Sequence, residues 1–242
     1  MKLTTERNKK ICGIHYICAE IMGSPVTCYV LRGKHGDMLI DTGIPFMYKA
    51  LTDYLSDYDI KYIFLTHAHV DHDSNAEKLR KSLGAEILLG ERDAELIGHF
   101  ARQPVKATLR RYKLRNIQQN VCGRMKLFSI TPYTPDILLN SRNTDILREL
   151  GFDADVVMLA GHTLGSVGVL SREVLYCGDA FTAMWGEPDI TPHAASPDAM
   201  ARSLEKILKI SPEMLACGHG LPVRMREARP VIKKYLFVDS NR

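Results

Sequence analysis

The 242-residue chain lacks any apolar run that approaches the ~20 residues of a membrane-spanning helix. It also lacks a convincing secretion signal, because His15 and Glu20 interrupt the apolar stretch after its basic start and no A-x-A cleavage site follows. Its six cysteines show no C-x-x-C pair and no disulfide-framework spacing. These absences argue against a membrane protein and a disulfide-stapled one, so we expect reduced thiols and a cytoplasmic location.

Internal repeats and Pro/Gly/Ser-rich linkers are missing as well. The composition, 45% hydrophobic and 25% charged, is typical of a folded domain and excludes intrinsic disorder. A chain of this length buries enough surface to need no disulfide or metal for its core. We therefore predict one domain over residues 1–242, with a basic insertion near residues 100–130 between two halves.

Strand-like and helix-like segments alternate in two sets, one on each side of a variable middle. Strands are predicted at residues 11–21, 25–31, 37–40, 60–65, 86–89, 155–159, 167–170, 173–176 and 213–216. Helices are predicted at residues 46–55, 92–99 and 197–210. A further helix is predicted to start at Ser74, because Ser74 and Glu77 form an S-x-x-E capping box. This alternation indicates a layered architecture of sheets and helices.

Three of the nine histidines fall within six residues, directly after the apolar strand at 60–65. The segment reads Thr66–His67–Ala68–His69–Val70–Asp71–His72, an H-x-H-x-D-H pattern. Alternate side chains of an extended backbone share one side, so His67 and His69 can reach one metal ion. Asp71 and His72, on the turn that follows, can reach a second.

Three further ligand-type side chains lie in glycine-containing turns at the ends of predicted strands. They are His162 after Gly161, Asp179 after Gly178, and His219 between Gly218 and Gly220. Glycine lets the backbone turn sharply and approach closely, which ligands that converge from separate strands require. Five histidines and two aspartates form a ligand set suited to Zn²⁺, and the same set accepts Fe or Mn.

These motifs, in this order from Asp41 to His219, resemble the metallo-β-lactamase superfamily and, within it, the glyoxalase II-like branch of hydrolases. The resemblance implies an α+β fold, a four-layer αββα sandwich of two mixed β-sheets with the metals at one edge. It also implies a ligand assignment. Metal 1 takes His67, His69 and His162, metal 2 takes Asp71, His72 and His219, and Asp179 bridges them. Asp41 would orient a ligand imidazole from behind.

Two divalent ions about 3.5–4 Å apart lower the pKa of a shared water toward 7. We expect a binuclear zinc-dependent hydrolase in which a metal-bridging hydroxide attacks the carbonyl of a small ester, thioester or lactone. Asp71 is the candidate catalytic residue, because it would orient the hydroxide as well as bind metal. True β-lactamases of this fold lack the bridging aspartate, so Asp179 argues against antibiotic hydrolysis. Similar lactonases carry a tyrosine three residues after that aspartate, where this chain has Thr182, so this position does not favour a lactonase.

Two other activities share this ligand pattern. One is a metal-dependent phosphodiesterase acting on a nucleotide or RNA, although the chain shows no long arm for RNA, which makes nucleic acid a poor fit. The other is an iron persulfide dioxygenase. A small molecule is the expected partner, and the sequence leaves the oligomeric state open, a homodimer included.

No acidic residue occurs between Glu95 and Asp136, a stretch with eight lysines and arginines in a chain of net charge +4. Val105, Leu109 and Tyr112 have helical spacing, so we predict an amphipathic helix with cations on its outer face. These cations would receive an anionic substrate, such as a CoA or glutathione thioester. A solvated basic face is the competing interpretation.

The loop that follows Asp179 supplies two candidate substrate contacts, His193 and Trp185. The competing interpretations are a solvated loop histidine and an aromatic cap on the sandwich edge.

Overall fold

The computed structural model describes residues 2–6, 13–21, 24–99, 102–114, 117 and 130–239. The strands of the first half are β1 (Lys2–Glu6), β2 (His15–Ile21), β3 (Ser24–Leu31), β4 (Asp37–Ile40), β5 (Ile60–Leu65), β6 (Glu86–Gly90), β7 (Lys106–Ala107) and β8 (Ile137–Leu139). Those of the second half are β9 (Asp155–Met158), β10 (Val167–Ser171), β11 (Val174–Gly178), β12 (His193–Ala194), β13 (Met214–Cys217) and β14 (Val223–Arg224). The α-helices are α1 (Tyr48–Leu55), α2 (Val70–Asp73), α3 (Ala76–Leu83), α4 (Ile146–Glu149), α5 (Pro197–Ile210) and α6 (Met225–Asp239). Among these residues, no helix has the length and apolar character needed to cross a bilayer.

The strands form two mixed sheets and a short ribbon. The seven-stranded sheet has the order β1-β2-β3-β4-β5-β6-β8; its pairs from β1 to β4 are antiparallel and its remaining pairs are parallel. The five-stranded sheet has the order β14-β13-β11-β10-β9, in which β11 and β13 run parallel and the other neighbours antiparallel. The ribbon pairs β7 with β12.

Three apolar layers separate the sheets and helices. Successive residues of a strand face opposite sides of a sheet, so Tyr16 packs toward the second sheet while Ile17 packs outward. Tyr16 shares the central layer with Val169 of the five-stranded sheet. Ile17 lies in the layer that includes Leu51 of α1, and Leu204 of α5 lies in the layer on the opposite outer face. Helix, sheet, sheet and helix are therefore stacked, which confirms the αββα sandwich.

The same topology gathers the predicted site residues. Parallel neighbours end at the same edge of a sheet, so Asp41 after β4 and His67 after β5 come together. For the same reason Asp179 after β11 and His219 after β13 come together on the facing sheet. The amide of Val167 donates to the carbonyl of Thr66 across 2.9 Å and ties the two sheets together here.

The predicted capping box is wrong. Ser74 closes the short helix α2 by donating its hydroxyl to the carbonyl of Val70, and Glu77 lies inside α3. Helix α3 begins after Asn75, whose side-chain amide donates to two carbonyls of the 42–44 turn across 2.8 Å each. Because Asn75 anchors the chain to that turn, α3 starts two residues later than the capping box predicts.

The predicted amphipathic helix does not cover Val105 to Tyr112, although residues 113, 114 and 117, directly after this stretch, are helical. Residues 106–107 form β7, and Arg110–Tyr112 form a 3-10 turn. The pairing of Ala107 with His193 explains the difference, because an extended backbone satisfies its hydrogen bonds through β12 rather than internally. Residues 115–116 and 118–129 lie outside the described chain, as do residues 11–12 of the first predicted strand. The predicted helix at 92–99 is a 3-10 helix, Glu91–Leu96.

Candidate metal centre

The structure brings all seven predicted ligand side chains together at this edge. Triad 1 is His67, His69 and His162, and triad 2 is Asp71, His72 and His219. Within each triad, one ligand atom from each residue lies within 4.8 Å of the others. Asp179 lies between the triads, because its Oδ2 atom is 3.4 Å from Nε2 of His162 and 3.3 Å from Nε2 of His219.

Several potential metal-ligand atoms at the centre are buried without a hydrogen-bond partner. Nε2 of His67, Nε2 of His72 and Oδ1 of Asp179 have no hydrogen bond. These three residues themselves form a group whose ligand atoms lie within 4.8 Å of one another. An unsatisfied buried polar atom costs about 1–3 kcal/mol, so three facing each other need an occupant. Imidazole nitrogens and carboxylate oxygens are ligands of Zn²⁺ and similar divalent ions, and the residues therefore fit such a metal pair.

Two imidazoles of triad 1, those of His67 and His69, are in their metal-binding form. Burial, with a contribution from His162, lowers the pKa of His69 to about 3. Burial and the neighbouring His72 hold the pKa of His67 well below its ordinary value. Both side chains are therefore neutral at physiological pH, as metal ligation requires.

Triad 2 has the opposite electrostatics. Burial alone would lower the pKa of His72, but Asp41, Asp179 and Asp71 together raise it to about 9. The pKa of His219 is likewise raised, against burial, by Asp179 and Asp71. The histidines in turn hold the pKa of both ligand carboxyl groups below the usual range, although burial opposes this. The carboxylates thus remain anionic and would hold protons on triad 2 until a cation replaced them.

Four ligand histidines are oriented through their second ring nitrogen, and for His67 this nitrogen, Nδ1, lies 3.1 Å from the hydroxyl oxygen of Thr66. Nδ1 of His72 lies 2.8 Å from Oδ2 of Asp41, and Nδ1 of His219 lies 2.7 Å from the carbonyl oxygen of Pro25. Nδ1 of His162 lies 2.8 Å from the carbonyl oxygen of His193. Each contact directs Nε2 into the centre. Asp41 thus has the geometry of the predicted orienting carboxylate, and it also accepts hydrogen bonds from the amide and hydroxyl of Thr66.

The profile described as the metallo-beta-lactamase superfamily matches residues 21–219. The chain belongs to the metallo-β-lactamase superfamily. It is 29% identical over 169 residues to hydroxyacylglutathione hydrolase GloC of Haemophilus influenzae, covering 68% of this chain and 70% of that protein. It is 24% identical over 237 residues to the uncharacterized protein YobT of Bacillus subtilis, covering 87% and 91%. The crystal structure of TTHA1623 in a di-iron-bound form matches with a TM-score of 0.62 at 23% identity, covering 85% and 93%.

These similarities confirm the superfamily and its glyoxalase II-like branch, which the motifs had indicated. Members of the superfamily are metal-dependent hydrolases, and the chain is an enzyme of this class.

Asp93 belongs to the site and was not predicted from the sequence. Its buried carboxylate accepts from the amide of Ala68, between two ligands of triad 1, across 3.0 Å. It also accepts from the hydroxyl of Thr163, next to His162, across 2.7 Å and from the amide of Gly165 across 2.8 Å. Asp93 therefore joins the two loops that carry triad 1. The available signal was its place after β6, a parallel neighbour of β5 at the same sheet edge.

Gly218 shows why glycine flanks the ligands. A Cβ at this position would lie 2.5 Å from Cε1 of His72 and 2.6 Å from Oδ1 of Asp179. Both atoms belong to the centre, so a larger residue would push its ligands apart.

The predicted substrate contacts follow Asp179, Trp185 in a loop and His193 in strand β12, and both contact the middle segment. Trp185 is 47% exposed and stacks on Tyr112 with ring centroids 5.9 Å apart. Tyr112 donates its hydroxyl to Asp189, and Arg111 also bonds that carboxylate, so this cation is paired. His193 reaches the centre through its backbone carbonyl, and a substrate role for its side chain stays a prediction.

Proposed function

We propose that the protein is a binuclear zinc hydrolase that cleaves a small ester, thioester or lactone at its carbonyl. The observation that carries this proposal is the position of Asp179 between two ligand triads, where three buried ligand atoms have no hydrogen-bond partner. Similarity to a protein named hydroxyacylglutathione hydrolase supports an acyl compound as the substrate class.

Triad 1 would hold one metal ion, triad 2 the other, and Asp179 both. When bound, two such ions supply Lewis acidity and lower the pKa of a water molecule toward 7. The nitrogen and carboxylate donors suit zinc and also accept iron or manganese. The similar TTHA1623 structure is a di-iron-bound form, so iron is the metal to compare with zinc.

Asp71 is the proposed catalytic residue. Its side chain is 35% exposed, whereas that of Asp179 is 5% exposed, so Asp71 lies on the face that substrate and water reach. Its pKa lies below the usual range because His72 and His219 outweigh burial. Asp71 therefore stays a hydrogen-bond acceptor and would orient the attacking water by accepting a hydrogen bond from it.

The test is reconstitution with defined metals followed by a substrate panel. Zinc, manganese or iron would be added to metal-free protein, and p-nitrophenyl esters, thioesters, lactones and bis-p-nitrophenyl phosphate would be assayed. We expect two zinc ions per chain and turnover of the carbonyl substrates. The Asp179→Ala variant should lose at least one metal ion and its turnover.

The same panel distinguishes the alternatives. Faster cleavage of bis-p-nitrophenyl phosphate than of any carbonyl compound would identify a phosphodiesterase. One iron per chain with thiol-dependent oxygen uptake would identify a persulfide dioxygenase and contradict the hydrolase proposal.

A further inference from the structure

The ligand that the second half of the chain gives to triad 1, His162, lies in the loop of residues 161–166, called the His162 loop below. Residues around β12 hold this loop from one side. Nδ1 of His162 lies 2.8 Å from the carbonyl oxygen of His193, and the amide of Ala195 donates to the carbonyl of His162 across 2.9 Å. The direction of the His162 imidazole therefore depends on where β12 lies.

The middle segment in turn holds β12. Ala107 of β7 pairs in register with His193. The next residue, Thr108, is buried and makes two further bonds to the chain just before β12. Its amide donates to the carbonyl of Pro192 across 3.1 Å, and its hydroxyl donates to the carbonyl of Thr191 across 2.6 Å. These bonds fix the backbone that presents the His193 carbonyl to the metal ligand.

Gln103 of the middle segment contacts the His162 loop directly. Its side chain is 8% exposed, and its Oε1 atom accepts from the amide of Leu164 across 2.9 Å, two residues after His162. The Nε2 atom of the same side chain is buried and has no hydrogen-bond partner among the residues that the structure describes. Burying an unpaired donor is unfavourable, so packing alone does not account for a glutamine here.

We propose that Gln103 and Thr108 are positioning residues for triad 1, which hold the His162 loop so that Nε2 of His162 faces the metal ion. Gln103 acts on the loop itself, and Thr108 acts through β12 and the carbonyl of His193. Both residues belong to the middle segment, which would therefore set the metal affinity of triad 1. The proposal rests on the metal pair of the proposed function and is independent of the bond that the enzyme hydrolyses.

The first test is a stepwise chelator titration of the zinc-loaded protein. Gln103→Met keeps the approximate size of the side chain and removes the acceptor for Leu164, so zinc should bind about tenfold more weakly at triad 1. His162→Ala identifies the titration step that belongs to this triad. Gln103→Glu should retain most of the affinity, because its carboxylate still accepts from the Leu164 amide. A general packing defect would not show this rescue.

The matched control is Asn143→Leu in the turn after β8. Asn143 also carries an uncharged amide whose oxygen accepts from a backbone amide, that of Asn140, across 2.8 Å. The control should leave both zinc affinities unchanged. Wild-type affinity at triad 1 in Gln103→Met, or an equal loss in Asn143→Leu, would overturn the role of Gln103.

Thr108→Val tests the route through β12. It keeps the branched shape and removes the hydroxyl that donates to Thr191, so zinc affinity at triad 1 should fall several-fold, and Thr108→Ser should restore it. Thr52→Val is the control, since the Thr52 hydroxyl donates to the carbonyl of Tyr48 across 2.9 Å on helix α1. Equal zinc affinities in the two valine variants would refute the contribution of Thr108.

Hydrogen exchange of single amides in the metal-free protein separates this positioning role from the proposed function. In Gln103→Met the amide of Ala195 should exchange several-fold faster than in the wild type, because the loop that accepts its bond is held less firmly. The amide of Thr27, which donates to the carbonyl of Gly218 beside triad 2, should not change. If no metal pair binds, the proposed function fails, and the exchange of Ala195 decides the role of Gln103 on its own. Unchanged exchange of Ala195 would contradict that role.

Discussion

Nδ1 of His72 lies 2.8 Å from Oδ2 of Asp41, and both side chains are buried. This contact orients a ligand of triad 2 from a different strand end, and the same carboxylate holds Thr66 next to triad 1. Asp41 has a φ of +59°, in a region that non-glycine residues rarely adopt, so the backbone is held there against its own preference. Asp41 therefore helps to position residues at both triads.

Asp41→Asn should weaken metal binding about 10- to 100-fold, the usual effect of losing an orienting carboxylate. The amide keeps one acceptor for Thr66 but removes the charge that raises the pKa of His72. Competition with a chromophoric chelator would measure the affinity of each site. Unchanged affinity at both sites would show that His72 does not need this partner.

Asp93→Asn should weaken the metal of triad 1 more than that of triad 2. Both carboxylate oxygens of Asp93 accept backbone amides, so an asparagine must set one donor against another. We expect about a tenfold or greater loss of affinity at one of the two sites in a stepwise chelator titration. Asp136→Asn is the matched control, since Asp136 also accepts a backbone amide, from Ile87, but lies away from the ligands. Equal losses in the two variants would refute the special role of Asp93.

Metal binding near pH 7 should release protons. The pKa of about 9 means that His72 holds a proton there until a cation displaces it, so affinity should rise with pH up to about 9. Calorimetry in buffers of different ionisation enthalpy would count the protons. Release of none would contradict the assignment of His72 as a ligand that is protonated before metal binds.

The raised pKa of His72 also makes the stability of the metal-free protein depend on pH. Below pH 6.5 the imidazole is protonated in both the folded and unfolded chain, and between 6.5 and about 9 the folded chain alone retains the proton. The stabilisation is therefore complete below 6.5 and is lost as pH rises to about 9. We expect the Tm of the metal-free protein to fall across this window and the fall to be smaller in Asp41→Asn. A fall of equal size in that variant would show that Asp41 is not its cause.

Salt should slow an anionic substrate more than a neutral one. Lys106 and Arg110 are exposed, and Lys106 pairs in register with Ala194, one residue from His193, whose carbonyl orients His162. We expect kcat/KM for an anionic thioester to fall about tenfold between low and high salt. The dependence should weaken in Lys106→Ala but not in Lys34→Ala, a cation in the β3–β4 turn. A salt-independent kcat/KM would identify the basic segment as a solvated face.

The ligand set was predictable because short sequence motifs contain it. His67, His69, Asp71 and His72 lie within one short segment, and glycine-flanked turns mark the remaining ligands. The partners that orient them were not predictable, because they are set by tertiary contacts. The carbonyls of Pro25 and His193 carry no side-chain signal, and Asp93 acts through hydrogen bonds to loops distant in the sequence.

The middle segment shows a second limit. Its apolar spacing at Val105, Leu109 and Tyr112 fits a helix, yet the same residues are compatible with an extended segment that pairs with β12 and then turns. Periodicity records which residues are apolar and not which partner covers them. The short strand β8 and the helix α6, with Pro230 inside it, were missed because neither has a strong local pattern.

Each triad draws two ligands from the segment after β5 and one from the second half of the chain. Neither half therefore carries a complete set of metal ligands, and the centre forms only where the two sheets pack together. A bound ion would link the two halves of the chain, and its binding affinity would depend on how closely the two sheets pack. Two fragments divided within the middle segment should consequently bind metal tightly only after they reassociate.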